Sequence, residues 1–188
     1  MDDPLVRITA ALDAAGVPYM LTGSFASSIH GETRTTHDID LVIDPTAGQL
    51  RRFVAALPPA EYYVSLPAAF DALERRSQFN VIELEANWKV DLIVRRERPF
   101  SEVEFDRRSD VEYAGKRIQI ATAEDVILAK LEWAKSGGSL RQIEDAAGIL
   151  KARDNLDSAY LDHWVRELQI DREWQAALAA AGRSTAAD

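Results

Sequence analysis

The sequence predicts an α/β (α+β) fold with a mixed β-sheet. A core of this sheet and its flanking helices precedes a helical C-terminal part. Helix-like and strand-like segments alternate through the first two thirds of the chain, and after Thr122 the apolar spacing is helical throughout. We predict an α/β core over residues 1–121, a helical part over 122–182 and a frayed tail over 183–188.

The first segments of the chain read as helix, strand, short helix, strand and helix. "PLVRITAALDAAG" has helical spacing and ends at Gly16, a typical C-cap. "VPYMLTG" predicts a strand that ends at Gly23, and "SFASSIHG" predicts one or two helical turns from Ser24. "HDIDLVID" predicts a strand stopped by Pro45, and "TAGQLRRFVAALP" predicts the helix that follows it.

A strand, a helix, two hairpins and four C-terminal helices complete the predicted elements. The strands "QFNVIELEA" and "WKVDLIVR" meet at a turn marked by Asn87, after a strand "YYVS" and a helix "PAAFDALERR". "VEYAG" and "KRIQIA" form a second hairpin around Ala114 and Gly115. The C-terminal helices are "AEDVILAKLEWAKS", "LRQIEDAAGILKA", "SAYLDHWVREL" and "REWQAALAAAG", the first of them capped by Thr122.

The composition is that of a globular protein, with 47% hydrophobic and 28% charged residues among 188. No segment approaches the roughly 20 continuous apolar residues of a membrane span, and "MDDPLVR" lacks a signal-peptide pattern. The chain has no cysteine, so we expect neither disulfides nor a thiolate metal site, and a cytoplasmic location.

The charge distribution argues against nucleic-acid binding through bulk electrostatics, because the formal net charge is −9. Four arginine doublets could supply a local basic patch or could lie on solvated faces and strand ends. They are Arg51-Arg52, Arg75-Arg76, Arg95-Arg96 and Arg107-Arg108.

Three aspartates interrupt predicted strands, where aspartate is depleted. Asp38 and Asp40 project from the same side of one strand, and Asp91 shares its strand face with Lys89. Taken singly, Asp38 could cap a strand end, Asp40 could pair with an arginine and Asp91 could lie on a wet face. Carboxylates this close favour a shared divalent cation, and together they predict a magnesium site.

Two further features could bind an anion. Gly23 and Ser24 lie at a strand-to-helix junction, where free backbone N–H groups favour phosphate. Lys130 falls inside an apolar arc of its predicted helix, so its amine either meets an anion or reaches solvent along the arc. The arc comprises Val126, Ile127, Leu131, Trp133 and Ala134, which we expect to pack in the core.

The segment "GSFASSIHGETRTTHDIDLVI" resembles the signature of the nucleotidyltransferase superfamily, a Gly-Ser turn followed by a D-x-D strand and a later third carboxylate. With "EDVILAKLEW" and "RQIEDAAGIL" downstream, the chain resembles the bacterial AbiEii-like nucleotidyltransferases. Many of these act as toxins of toxin–antitoxin systems. The resemblance covers roughly residues 15–152.

The resemblance implies transfer of a nucleoside monophosphate from a nucleoside triphosphate to a hydroxyl acceptor, with Mg²⁺ or Mn²⁺ as cofactor. The acceptor would be an RNA end, such as that of tRNA, or a protein, and a cognate antitoxin or toxin would be a further partner. Asp38 and Asp40 would hold the metal, and Asp91 would complete a second metal position or take the proton of the attacking hydroxyl. Gly23 and Ser24 would cradle the terminal phosphates.

The resemblance also assigns nucleotide binding to Arg34, Lys130 and Asp145, although Asp145 could instead lie off the apolar face and pair with Arg141. A rival function is a non-catalytic antitoxin or regulator of the same fold that binds nucleotide or a partner. A metal-dependent phosphodiesterase is disfavoured, because it would normally require a His-rich cluster.

Overall fold

The computed structural model describes residues 3–31, 38–85 and 87–183, and these residues form seven strands and nine helices. The strands are β1 (Tyr19–Thr22), β2 (Asp38–Ile43), β3 (Tyr62–Val64), β4 (Gln78–Glu83), β5 (Trp88–Val94), β6 (Ser109–Tyr113) and β7 (Lys116–Ile120). The helices are α1 (Pro4–Ala15), α2 (Gly23–Ile29), α3 (Ala47–Ala56), α4 (Leu66–Arg75), α5 (Pro99–Asp106), α6 (Ala123–Gly137), α7 (Leu140–Ala152), α8 (Ser158–Leu168) and α9 (Asp171–Ala181).

The chain divides into two compact units, each built from two separate segments. The first unit takes residues 1–22 and 36–121 and holds the sheet with α1, α3, α4 and α5. The second takes residues 23–35 and 122–188 and holds α2 with α6 to α9. The short helix after β1 thus groups with the C-terminal helices. The predicted division into an α/β core over residues 1–121 and a helical part over 122–182 stays a prediction.

One mixed sheet organises the first unit, in the order β3-β4-β5-β2-β1-β7-β6. The pairs β2–β5 and β1–β7 are parallel, and the other neighbours are antiparallel. The predicted α/β class with a mixed sheet and flanking helices is therefore confirmed. β2 and β5 lie side by side although two helices and two strands, α3, β3, α4 and β4, separate them in sequence.

The two faces of the sheet differ in chemistry because side chains alternate along each strand. Along β2 and β5 one face is fully buried and apolar, and it carries Ile39, Leu41, Ile43, Val90, Leu92 and Val94. The opposite face begins with exposed or half-buried polar residues, Asp38 and Asp40 on β2 and Lys89 and Asp91 on β5. We call this polar face of the sheet the carboxylate face.

Helix caps explain where the first helices of this unit begin and end. Asp3 accepts a hydrogen bond from the backbone N–H of Leu5 at 2.8 Å, Pro4 follows at the first helical position, and Gly16 ends α1 with φ 70°. In α3, Thr46 and Gln49 form a capping box in which each side chain bonds the other residue's backbone N–H. These local signals agree with the predicted bounds.

Both predicted hairpins are present. Asn87 adopts φ 56° between β4 and β5, and Ala114 and Gly115 adopt φ 47° and 77° between β6 and β7. A two-residue turn with both φ angles positive matches the right-handed twist of the flanking strands. The second turn therefore places an alanine in a conformation that usually requires glycine or asparagine.

Helix α5 is not predicted by the apolar spacing. Its buried positions include Ser101 and Glu104 as well as Phe100 and Phe105, so the buried side lacks an apolar helical period. The signal that could have revealed it is Pro99, which occupies the first turn. Tertiary packing rather than amphipathicity sets this helix.

The second unit is a helical cluster in which α6 packs against α2, α7, α8 and α9. Thr122 caps α6, accepting from the N–H of Asp125 at 3.2 Å as the sequence predicts. The prediction that Trp133 lies in the core is wrong, because its exposed fraction is 54%. Trp133 stands at the edge of the apolar arc, where the neighbouring helices do not cover it. Among the described residues, no helix has both the length and the apolar character needed to cross a bilayer.

Candidate functional site

The parallel register between β2 and β5 brings the three predicted aspartates onto one face. Asp40 lies opposite Asp91, and Asp38 lies opposite Lys89. Side chains at paired positions of neighbouring strands project to the same side, so strand parity correctly placed Asp91 beside the D-x-D pair. At the other edge of β2, Thr22 pairs with Asp40.

Both carboxylate oxygens of Asp91 already have donors. Lys89 Nζ donates to Oδ2 at 2.8 Å, and Asn80 Nδ2, from the paired position on β4, donates to Oδ1. This hydrogen bond raises the pKa of Lys89, and the charges of Asp91, Asp38 and Asp40 raise it further, against the effect of burial. The ammonium is thus one counter-charge on the carboxylate face.

The carboxylate face offers the right donor chemistry for a hard divalent cation, which prefers carboxylate oxygens. Asp38 is exposed and Asp40 half-buried, so both are reachable. Within the described part of the chain, however, no three His, Cys, Asp or Glu side chains converge closely enough to hold a metal ion. Asp91 instead contacts Lys89 and Asn80.

The Gly-Ser turn begins α2 in the second unit. Gly23 has φ 67°, which its lack of a Cβ permits, and it follows directly on the last residue of β1. The backbone oxygen of Ser24 accepts from Ser28 Oγ at 3.1 Å, within the helix. The predicted nucleotide ligand Arg34 lies outside the described residues.

Lys130 and Asp145 form a buried ion pair between α6 and α7. Nζ lies 2.7 Å from Asp145 Oδ2, and each side chain is only 4% exposed. Lys130 also donates to Gln142 Oε1 at 3.3 Å. The structure thus brings together two of the predicted nucleotide-binding residues, within the second unit.

The sequence analysis left open that Lys130 reaches solvent and that Asp145 lies off the apolar face, and both alternatives are wrong. Lys130 does not reach solvent along its helix, because the whole residue is 3% exposed. Asp145 does not lie off the apolar face, because it is equally buried. The physical reason is that α7 packs against both α6 and α9, so that a wider arc of this helix is covered than a single apolar stripe indicates.

Three arginines of the doublets, Arg75, Arg76 and Arg95, form ion pairs with nearby carboxylates. Arg76 binds Asp44 at 3.1 Å and Glu97, while Arg95 binds the other oxygen of Asp44 at 3.0 Å. Arg75 pairs with Asp71 one helical turn earlier. These contacts favour the interpretation of the doublets as strand ends and solvated faces rather than a nucleic-acid patch.

A surface cavity of about 360 Å³ lies at the far end of β2 from Asp38 and contains none of the predicted site residues. It is lined by Pro18, Asp44, Arg95, Glu102, Phe105, Asp106 and Arg108. Sequence reasoning also missed Asn80 and Gln142 as partners of site residues. Neither carries a local signal, since the contact of each depends on the pairing of β4 with β5 or of α6 with α7.

The mixed sheet with flanking helices is similar in fold to solved structures of nucleotidyltransferase-like proteins. An antigenic nucleotidyltransferase-like protein from Paracoccidioides brasiliensis is similar with a TM-score of 0.57 and 17% identity, over 97% of this chain and 94% of that chain. ANT(2″)-Ia in complex with adenylyl-2″-tobramycin is similar with a TM-score of 0.59 and 15% identity, over 89% and 96% of the two chains.

The lincosamide antibiotic adenylyltransferase LnuA, with lincomycin bound, is similar with a TM-score of 0.53 and 16% identity, over 79% of this chain and 96% of that chain. No protein-family model matches the chain, and no curated protein sequence matches it. The similarity therefore lies in the fold, with little identity in sequence.

Proposed function

We propose that the protein is a metal-dependent nucleotidyltransferase that transfers a nucleoside monophosphate from a nucleoside triphosphate to a hydroxyl acceptor. The observation that carries the proposal is the β2–β5 register, which aligns Asp40 with Asp91 and sets Asp38 on the same face of a nucleotidyltransferase fold. A structural role alone would not require three carboxylates on one reachable sheet face.

The reaction requires little covalent chemistry from the protein. Asp38 and Asp40 would hold Mg²⁺ or Mn²⁺, and the bound cation would supply positive charge to the triphosphate. The acceptor oxygen bonds to the α-phosphorus while the bond to pyrophosphate breaks, and Asp91 accepts the proton of the acceptor hydroxyl. Positioning and charge neutralisation then provide most of the rate enhancement.

The nucleotide contacts and the acceptor follow from the resemblance to AbiEii-like nucleotidyltransferases. Gly23, Ser24 and Arg34 are proposed to bind the triphosphate, with Lys130 and Asp145 completing the nucleotide-binding set. The acceptor is proposed to be an RNA end or a protein, and the protein to act as the toxin of a toxin–antitoxin pair in the cytoplasm. The antibiotic adenylyltransferases of similar fold make a small-molecule hydroxyl a third acceptor class to test.

A non-catalytic antitoxin or regulator of the same fold is the second candidate. It is favoured by the engaged state of Asp91, whose two oxygens accept from Lys89 and Asn80. In such a protein the carboxylate face would be a structural polar network, and nucleotide or partner binding would proceed without transfer.

Transfer of label from α-labelled ATP, CTP, GTP and UTP, with Mg²⁺ or Mn²⁺, to total RNA and separately to proteins of a cell extract tests the proposal. Aminoglycoside and lincosamide acceptors form a third arm. We expect wild-type protein to label one acceptor class and Asp38→Asn/Asp40→Asn to label none, because the amides keep the shape and remove the charge. Asp91→Asn should transfer slower by roughly two orders of magnitude, since the hydroxyl loses its base.

The matched control is Asp110→Asn, which removes a carboxylate from β6 of the same sheet, away from the three aspartates. It should transfer at the wild-type rate. Labelling by the double variant at the wild-type rate would rule out the assigned site, and absence of any labelling by folded wild-type protein would favour the non-catalytic candidate.

A further inference from the structure

Lys89 shares the carboxylate face with the three aspartates. Its Nζ lies 2.8 Å from Asp91 Oδ2, two residues along the same strand, and its backbone pairs with Asp38 on β2. All four side chains share one face, because paired and alternate strand positions project to the same side. The ammonium therefore occupies the region toward which a cation shared by these carboxylates would be drawn.

Lys89 differs from Lys130 in its freedom to move. The Lys89 side chain is 48% exposed, whereas that of Lys130 is 4% exposed and enclosed with Asp145. Lys89 is half-exposed although the Asp91 side chain is only 13% exposed, so the ammonium can exchange its contact with Asp91 for contact with solvent. Asn80 keeps its neutral contact with the other oxygen of Asp91 when this happens.

A divalent cation and an ammonium compete for the same carboxylate charge. With Lys89 in place, an arriving cation meets a like charge and a third carboxylate whose oxygens already have donors. When Lys89 swings away, Asp91 regains a free oxygen beside Asp40. Asp91 can therefore accept the proton of the acceptor hydroxyl only when the divalent cation, rather than the Lys89 ammonium, neutralises the carboxylate face.

We propose that Lys89 is a resident counter-cation that competes with the divalent metal, so that Asp91 becomes available only when the metal and its triphosphate displace the ammonium. Lys89 is then a positioning residue that acts through Asp91. The protein without nucleotide binds divalent cations weakly, and the triphosphate carries the metal in. This inference rests on the proposed function, because it assumes that Asp38 and Asp40 hold the metal.

The test is a titration of the full chain with Mn²⁺ in the absence of nucleotide. The concentration of free Mn²⁺ is measured by electron paramagnetic resonance. Lys89→Met removes the charge, and we expect its Mn²⁺ dissociation constant to be lower by roughly tenfold or more. Lys89→Arg retains the charge and should bind Mn²⁺ about as weakly as wild type does, within roughly twofold. Lys89→Gln is a second charge-removing variant if the methionine variant is less well folded.

The control is Lys116→Met, which breaks a comparable lysine–carboxylate contact, 2.7 Å to Asp13, outside the carboxylate face. It should leave Mn²⁺ affinity unchanged. If wild type, Lys89→Met and Lys89→Gln bind Mn²⁺ with equal affinity, Lys89 does not compete with the metal.

Adding Asp38→Asn/Asp40→Asn to Lys89→Met separates this inference from the proposed function. Loss of Mn²⁺ binding in the combined variant supports both. If the aspartate changes abolish binding but Lys89→Met had not tightened it, the metal site stands and the role of Lys89 is wrong. If Mn²⁺ binding persists without Asp38 and Asp40, the proposed metal site fails and the inference fails with it.

Discussion

At the scale of single residues, two lysine–aspartate pairs have different energetics. The pair Lys130–Asp145 is removed from water, so each charge depends on its partner to offset its desolvation. Lys89 and Asp91 remain partly hydrated, and their contact can open at small cost. Burial, not distance, separates them, since the two contacts measure 2.7 and 2.8 Å.

Lys130→Met is predicted to destabilise the protein by about 3–5 kcal/mol, because it removes the ammonium that is ion-paired with the buried Asp145 carboxylate. Lys130→Met/Asp145→Asn removes both charges and should regain most of that loss. Urea unfolding of the three proteins, followed by circular dichroism, measures the difference.

Lys89→Met provides the matched comparison at the exposed pair and should change the unfolding free energy by less than about 1 kcal/mol. An unchanged urea midpoint for Lys130→Met would contradict a stabilising role for the buried pair.

At the scale of elements, the turn between β6 and β7 carries conformational strain. Ala114 has φ 47°, and a left-handed conformation costs an alanine about 1–2 kcal/mol relative to the right-handed one. Gly115 follows at φ 77° without such a cost. The strand pairing from Ser109↔Ile120 to Tyr113↔Lys116 holds the turn in this form.

Ala114→Asn is predicted to stabilise the protein by about 0.5–1 kcal/mol, because Asn-Gly is the preferred pair for a two-residue hairpin turn with positive φ angles. The expected result is a higher thermal midpoint. The same change at an exposed helical position, Ala55→Asn in α3, should lower the midpoint, since asparagine is a poorer helix former than alanine. A lower midpoint for Ala114→Asn would show that the turn is not strained.

At the scale of the whole molecule, the chain interleaves its two units. Helix α2 lies between β1 and β2 in sequence, yet it packs against α6 and α7 of the second unit. In the same unit, Arg153 donates to the backbone oxygen of His30 at 3.1 Å. A Cβ added at Gly31 would come within 2.5 Å of Ala152 Cβ, so the two segments approach too closely for any side chain there.

A fragment of residues 122–183 is therefore predicted to unfold without a cooperative transition, because it lacks α2 and exposes the helix faces that bury Ala26 and Ser27. Thermal unfolding by circular dichroism compares this fragment with the full chain. A fragment in which residues 23–31 are joined ahead of 122–183 by a flexible linker should recover part of the transition. Cooperative unfolding of the fragment alone would show that α2 is dispensable to the unit.

The sequence by itself determined the features that depend on near neighbours. Alternation along "HDIDLVI" and "WKVDLIV" set which side chains share a face, Pro45 and Asn87 marked strand ends and a turn, and Thr122 capped α6. These features follow from backbone geometry and from hydrogen bonds between residues only a few positions apart, and both can be inferred from the sequence. The predicted carboxylate set rests on the same parity.

Only the tertiary structure decided what depends on residues distant along the chain. The pairing of β2 with β5 aligned Asp40 with Asp91 and brought Asn80 to the same carboxylate. The packing of α7 between α6 and α9 buried Asp145 against Lys130. No local pattern specifies these partners, because which strands and helices become neighbours is set by the burial of whole faces, a cooperative property of the folded chain.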